Sequence, residues 1–207
     1  AYFQLAHIGD RQYVELFARV AMGMCLAEAA SSQASWDTLT EDDCLSVARG
    51  KTAQLMGACC RAGALSAGAS SEAANILEEF GLHLGIAFQL TDDLLDIYGP
   101  ENLTGKSPGR DLLTGQPNLP LVVALRSPHG AQVRALLESL SDQEDLTAGL
   151  KELADLIELA GGRAHTRQLA AYHVETAKQR IQALLPSSSD AVAALADLAD
   201  FVLVRES

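Results

Sequence analysis

Lysine is scarce in this chain: Lys51, Lys106, Lys151 and Lys178 are all that it carries in 207 residues. With 15 basic against 27 acidic residues and a net charge of -12, a general nucleic-acid-binding role is excluded, because phosphate contacts need clustered Lys and Arg. No apolar run is long enough to span a bilayer and no basic-then-apolar leader opens the chain, so no transmembrane segment is expected. The four cysteines, Cys25, Cys44, Cys59 and Cys60, lack the spacing of a disulfide framework or a metal knuckle. Reduced core thiols in a cytoplasmic protein are the expectation. Aromatics make up only 5%, and β-branched residues rarely alternate with polar ones, which argues against a sheet. There is no initiator methionine, and residues 1–8 read as the end of an apolar helix, so the chain is expected to be part of a longer protein.

What is present favours helices throughout. Alanine and leucine dominate a composition that is 48% apolar, which fits a folded domain. Asp10 is a candidate N-cap for a helix over about 13–31, and Thr40 caps an acidic first turn opening a helix over about 42–67. After a Gly- and Ser-rich break at 68–71, apolar residues recur every three or four positions over about 72–98. Residues 99–116 form the one long irregular stretch, rich in Gly and Pro, and loops of this length are often functional. Helical patterning resumes after Pro117, with breaks near 128–130, 161–162 and 186–189. An all-α chain of about seven or eight helices in a single domain over 1–207 is expected.

Asp92, Asp93 and Asp96 carry the chemistry. Asp92 and Asp96 are four apart and share one helix face, with Asp93 beside them. Like charges this close destabilise an isolated helix, and a hard divalent cation removes that penalty. Taken alone the run also suits a solvated acidic face. Lys51-Thr52 within a helix and Lys106 in the irregular stretch supply point charges and a hydroxyl donor suited to phosphate oxygens.

Lys51-Thr52-Ala53, Phe80-Gly81, Leu84-Gly85 and Ala87-Phe88-Gln89, running into Asp92-Asp93-Leu94-Leu95-Asp96, resemble the trans-isoprenyl diphosphate synthases of the polyprenyl synthetase family. Thr104-Gly105-Lys106, Gly109, Asp111-Leu112 and Leu119-Pro120-Leu121 continue the resemblance in order and spacing. It implies an isoprenoid-synthase-type helical bundle around a central cavity. It also implies a Mg²⁺-dependent prenyltransferase, with Mn²⁺ as an alternative, that joins isopentenyl diphosphate to an allylic diphosphate. By position, Asp92, Asp93 and Asp96 would form the second aspartate motif, with Asp92 the first choice as direct metal ligand. Lys51 and Lys106 would hold the allylic diphosphate with Thr52 in support, and Gln89 would contribute a polar contact near the diphosphates. Phe88 would pack against the homoallylic chain, and Asp111 would anchor the loop or orient a metal-bound water. A homodimer, or a complex with a partner synthase chain, is implied as well.

The family's first aspartate-rich motif and its upstream basic residues are absent from these 207 residues. The N-terminal part of the bundle is therefore expected to be missing, and the chain alone to hold metal weakly and not to catalyse. At Gln116-Pro117-Asn118 the family commonly has Lys and Thr before Leu-Pro, so one positive charge near the cavity is lost. Two other readings stay open: a non-catalytic regulatory subunit, and a class I terpene cyclase. The cyclase would need a metal triad on a later helix, which is not recognisable here.

Overall fold

Asp10 stands in extended conformation and its carboxylate accepts a bond from the Gln12 amide, which opens α1 (Arg11–Ser32). Thr40 and Asp43 form a reciprocal capping box at the start of α2 (Glu41–Ala48), each satisfying a backbone N–H of the other's turn. The chain then runs without a break through a π-helical segment, Arg49–Ala53, into α3 (Gln54–Ser66). Ser70 caps α4 (Ser71–Tyr98), the longest helix, and Asn118 caps α5 (Leu119–Arg126). The remaining helices are α6 (Gly130–Leu140), α7 (Thr147–Leu159), α8 (Gly162–Leu184) and α9 (Asp190–Val204). This computed structural model describes residues 7, 9–99, 112, 115–140, 146–184 and 190–205.

If residues 41–66 count as one rod, the described residues contain eight helices, and the all-α expectation holds. Two local expectations change. The helix expected to run evenly through 42–67 carries the π-turn, in which the Gln54 amide reaches back five residues to the Arg49 carbonyl. That widened turn lies where Gly50 meets α1 and Ala53 meets α4. A Cβ on Gly50 would sit 2.5 Å from Ala27 Cβ, and one on Gly85 only 2.4 Å from Ala53 Cα. Downstream, α7 begins at Thr147 after the non-helical Leu146, a start absent from the expected breaks.

The centre of the fold is α4, which packs against α3 on one side and α8 on another. Its Phe80, Leu84, Ala87, Leu90, Leu94 and Ile97 recur at helical spacing and are all buried. Each large side chain among them stabilises the fold by about 2 kcal/mol. Phe80 and Leu84 join Val174, Ala177 and Ile181 of α8, whereas Ile97 joins the core built from α5, α6 and α7. Spanning these cores places the last turns of α4 between the π-segment, α5 and the end of α9. The cysteine expectation needs correction: Cys44 is buried and Cys60 half-buried, but Cys25 and Cys59 are exposed. Among the described residues, no helix is long and apolar enough to cross a membrane.

Candidate metal and diphosphate site

The last three turns of α4 bring Gln89, Asp92, Asp93 and Asp96 to the wall of a cleft of about 420 Å³. Lys51 of the π-segment, Gln116 to Asn118 ahead of α5, and Arg205 beyond α9 complete much of the lining. The three aspartates therefore share one concave surface with Lys51. Lys106 and Asp111 lie outside the described residues.

Asp93 is engaged on both carboxylate oxygens. Thr52 Oγ1 donates to Gln89 Oε1 at 2.8 Å, and Gln89 Nε2 donates to Asp93 Oδ1 at 3.2 Å. On its other oxygen, Asp93 accepts from the Leu119 amide at 3.2 Å, an N–H left unpaired by the start of α5. Asn118 closes the link. Its Nδ2 donates to the Asp93 carbonyl at 3.3 Å while its Oδ1 accepts from the Leu121 amide at 3.2 Å. Thr52 thus stands behind Gln89 and is not part of the cleft wall. Burial pushes the Asp93 carboxyl up to about 7, against the opposing pull of the Gln89 and Leu119 bonds, and the charges of Asp92 and Asp96 add to the rise.

Asp92 and Lys51 each hold a partner. Arg205 Nη2 donates to Asp92 Oδ1 at 2.8 Å, and the guanidinium carbon lies 4.1 Å from the centroid of the Phe88 ring. The Asp92 carboxyl is still raised, because desolvation outweighs the attraction of Arg205. Lys51 Nζ lies 2.8 Å from Glu28 Oε2 on α1. Phe88 packs at the edge of the core shared by α4, α8 and α9, under Arg205. Cys44 also lines the cleft, but burial, reinforced by Asp93, lifts its thiol to about 12, which excludes it as a thiolate nucleophile near neutral pH.

Two buried side-chain atoms have no hydrogen-bond partner among the described residues, Ser31 Oγ and Arg205 Nη1. Both residues line this cleft. An unpaired buried polar group costs about 1–3 kcal/mol, so the wall of this cleft carries a local cost.

Among the described residues, no set of three or more His, Cys, Asp or Glu side chains converges to cage a metal ion. Magnesium does not require such a cage, since it commonly takes one or two carboxylates together with phosphate oxygens and water. Asp92 and Asp96 line one cleft together with Lys51 and fit that shared kind of site.

Sequence reasoning missed Arg205 and Ser31 as parts of this surface, and Glu28 as the partner of Lys51. It singled out Asn118 only as a departure from a family pattern. An Asn directly before Leu-Pro was a readable N-cap signal. Arg205 carried no local signal, because its partner Asp92 is 113 positions away.

The polyprenyl synthetase family profile matches residues 1–157. The chain is 41% identical to a geranylgeranyl diphosphate synthase of Mycobacterium tuberculosis over 161 residues, 74% of this chain and 42% of that protein. It is 31% identical to a prenyl transferase of Porphyra purpurea over 202 residues, 97% of this chain and 60% of the relative. The chain thus spans about half the length of such curated relatives. Among solved structures it resembles a polyprenyl synthase from Caulobacter crescentus complexed with calcium and isoprenyl diphosphate. There the TM-score is 0.87 at 32% identity, covering 98% of this chain and 62% of that one.

Proposed function

The chain belongs to the polyprenyl synthetase family, and from that premise we propose that it supplies one wall of a trans-prenyltransferase site. The reaction is condensation of isopentenyl diphosphate with an allylic diphosphate to a longer trans-prenyl diphosphate. The observation that carries this reading is the single cleft that gathers Asp92, Asp93, Asp96, Gln89 and Lys51.

Asp92 and Asp96 would hold Mg²⁺, or Mn²⁺ in its place, and the bound ion would stabilise the negative charge of a departing diphosphate as a Lewis acid. The chain's own groups divide the remaining work. Lys51 presents a point charge to diphosphate oxygens, which requires it to exchange Glu28 for the ligand. Thr52 fixes the Gln89 amide, and Gln89 then directs its Nε2 at Asp93. Asp93, braced by Leu119 and Asn118, locks the aspartate turn of α4 to α5 and holds its neighbours at a fixed spacing. In this reading Lys106 assists Lys51, Phe88 borders the homoallylic chain, and the first aspartate-rich motif comes from outside this sequence. A homodimer in the cytoplasm is the assembly that goes with it.

The engaged state of Asp92 and Asp93 favours one alternative, a non-catalytic subunit that supports an active synthase chain. Incubating the whole protein with labelled isopentenyl diphosphate, geranyl diphosphate and Mg²⁺ separates the two. The enzyme reading expects a longer prenyl diphosphate, and a loss of about 10²-fold or more in Asp92→Ala, the scale set by removing one charge-stabilising group. Equal turnover by that variant would remove Asp92 from the reaction. No turnover except with an added partner synthase would favour the subunit.

A further inference from the structure

Arg205 is held by two groups of different kinds, and only one is a carboxylate proposed to bind metal. Nη2 bonds Asp92, the flat face of the guanidinium rests on the Phe88 ring, and Nη1 is buried with no partner. A permanent structural clamp between arginine and carboxylate normally uses two parallel N–H donors. Here one donor is committed and another is left over. The residue sits one position beyond Val204, the last residue of α9, so its bond to Asp92 ties the end of that helix to α4.

We propose that Arg205 is an internal counter-ion that occupies Asp92 and must be displaced when a divalent cation binds there. The Phe88 ring retains the released guanidinium at the cleft wall, where its N–H groups can meet an oxygen of a diphosphate. This rests on the reading of the cleft as a metal–diphosphate site. Cation and guanidinium compete for one carboxylate, so metal arrival is coupled to loosening of the end of α9, and the coupling is reciprocal. A bound diphosphate offers Arg205 a replacement anion and so weakens its competition with the metal.

The competition is measured with Mn²⁺ alone as the probe, following the free ion by electron paramagnetic resonance. The chains compared are wild type, Arg205→Gln, Arg205→Lys and Asp92→Asn. Arg205→Gln should bind Mn²⁺ roughly three- to tenfold more tightly than wild type, the span that a partly buried ion pair can contribute. Arg205→Lys, which keeps the positive charge, should stay close to wild type, and Asp92→Asn should lose binding. In wild type, Mg²⁺ should also speed hydrogen exchange of the backbone amides over 199–204, a response that Arg205→Gln should lack.

If Arg205→Gln binds Mn²⁺ no more tightly than wild type while Asp92→Asn loses it, the competition is overturned and the metal site stands. If Arg205→Lys binds as tightly as Arg205→Gln, loosening of α9 rather than charge is the cause, and the inference is equally overturned. Wild-type affinity in Asp92→Asn, or no binding by any of the chains, removes the metal reading and the inference with it.

Discussion

Around Gly81 and Gly85, α4 presses its backbone against neighbouring backbone, whereas from Gln89 to Asp96 the same helix turns polar side chains towards a cleft. In the first region a Cβ on Gly81 would lie 2.7 Å from Gly57 Cα, and one on Gly85 2.4 Å from Ala53 Cα. In the second, Asp93 alone is tied to Gln89 and Leu119 side by side, and Asp92 reaches Arg205. The close approach of the first region sets where Ala53, and hence the adjoining Lys51 and Thr52, stand relative to the aspartates. Packing therefore comes before chemistry on this helix: a tight glycine seam positions the cleft.

The sharpest way to break this contrast is to place a side chain in the seam. Gly85→Val meets backbone atoms that cannot rotate away, and it should cost at least about 3 kcal/mol, read by urea unfolding. A loss below about 1 kcal/mol would show that the seam yields, and that it does not fix Lys51.

On its face towards α8, α4 carries a half-buried polar pair. His83 Nδ1 and His173 Nδ1 lie 2.8 Å apart, so one ring donates and the other accepts, and the two cannot both be charged. Burial first, then the charges of His83 and Arg49, lowers His173 to about 4; His83 is lowered by burial, Arg180 and Arg49, with Glu79 opposing. A base held below its unfolded value of 6.5 gives stability that is whole above that pH and is lost as pH falls towards about 4. Unfolding free energy should thus drop by on the order of 2 kcal/mol across that window, and His173→Phe should flatten the slope relative to wild type. Parallel profiles for the two chains would contradict the assignment.

On the cleft side, Asn118→Ala removes both the N-cap of α5 and the bond to the Asp93 carbonyl. It should cost about 1–2 kcal/mol in urea unfolding. The smallest effect belongs to the rim: Lys178→Ala, which removes the pair with Asp200 between α8 and α9, should cost about 0.5 kcal/mol or less.

The two regions also differ in how far the sequence discloses them. Asp10, Thr40 and the break before α4 were legible because a cap is a contact within three residues. The buried stripe of α4 was legible because its period is local. Asp92, Asp93 and Asp96 were legible as a group for the same reason, and Lys51 through the motif that accompanies them. The π-turn was not, since it arises where Gly50 and Ala53 are pressed between α1 and α4, and a helical pattern alone contains no record of those neighbours. The use of Asp93 as a brace for α5, and of Asp92 as the seat of Arg205, likewise depend on contacts across 26 and 113 positions. Chemistry-bearing residue types announced the site. Their division of labour came only with the fold.

This cleft, on the proposed reading, binds a diphosphate through a divalent cation held by α4. Calorimetric titration of inorganic pyrophosphate, with and without Mg²⁺, tests it without requiring turnover. Binding should require Mg²⁺, be lost in Asp92→Asn, and be weakened about tenfold in Lys51→Ala. Pyrophosphate binding that is equally strong without Mg²⁺, or unaffected by Asp92→Asn, would contradict it.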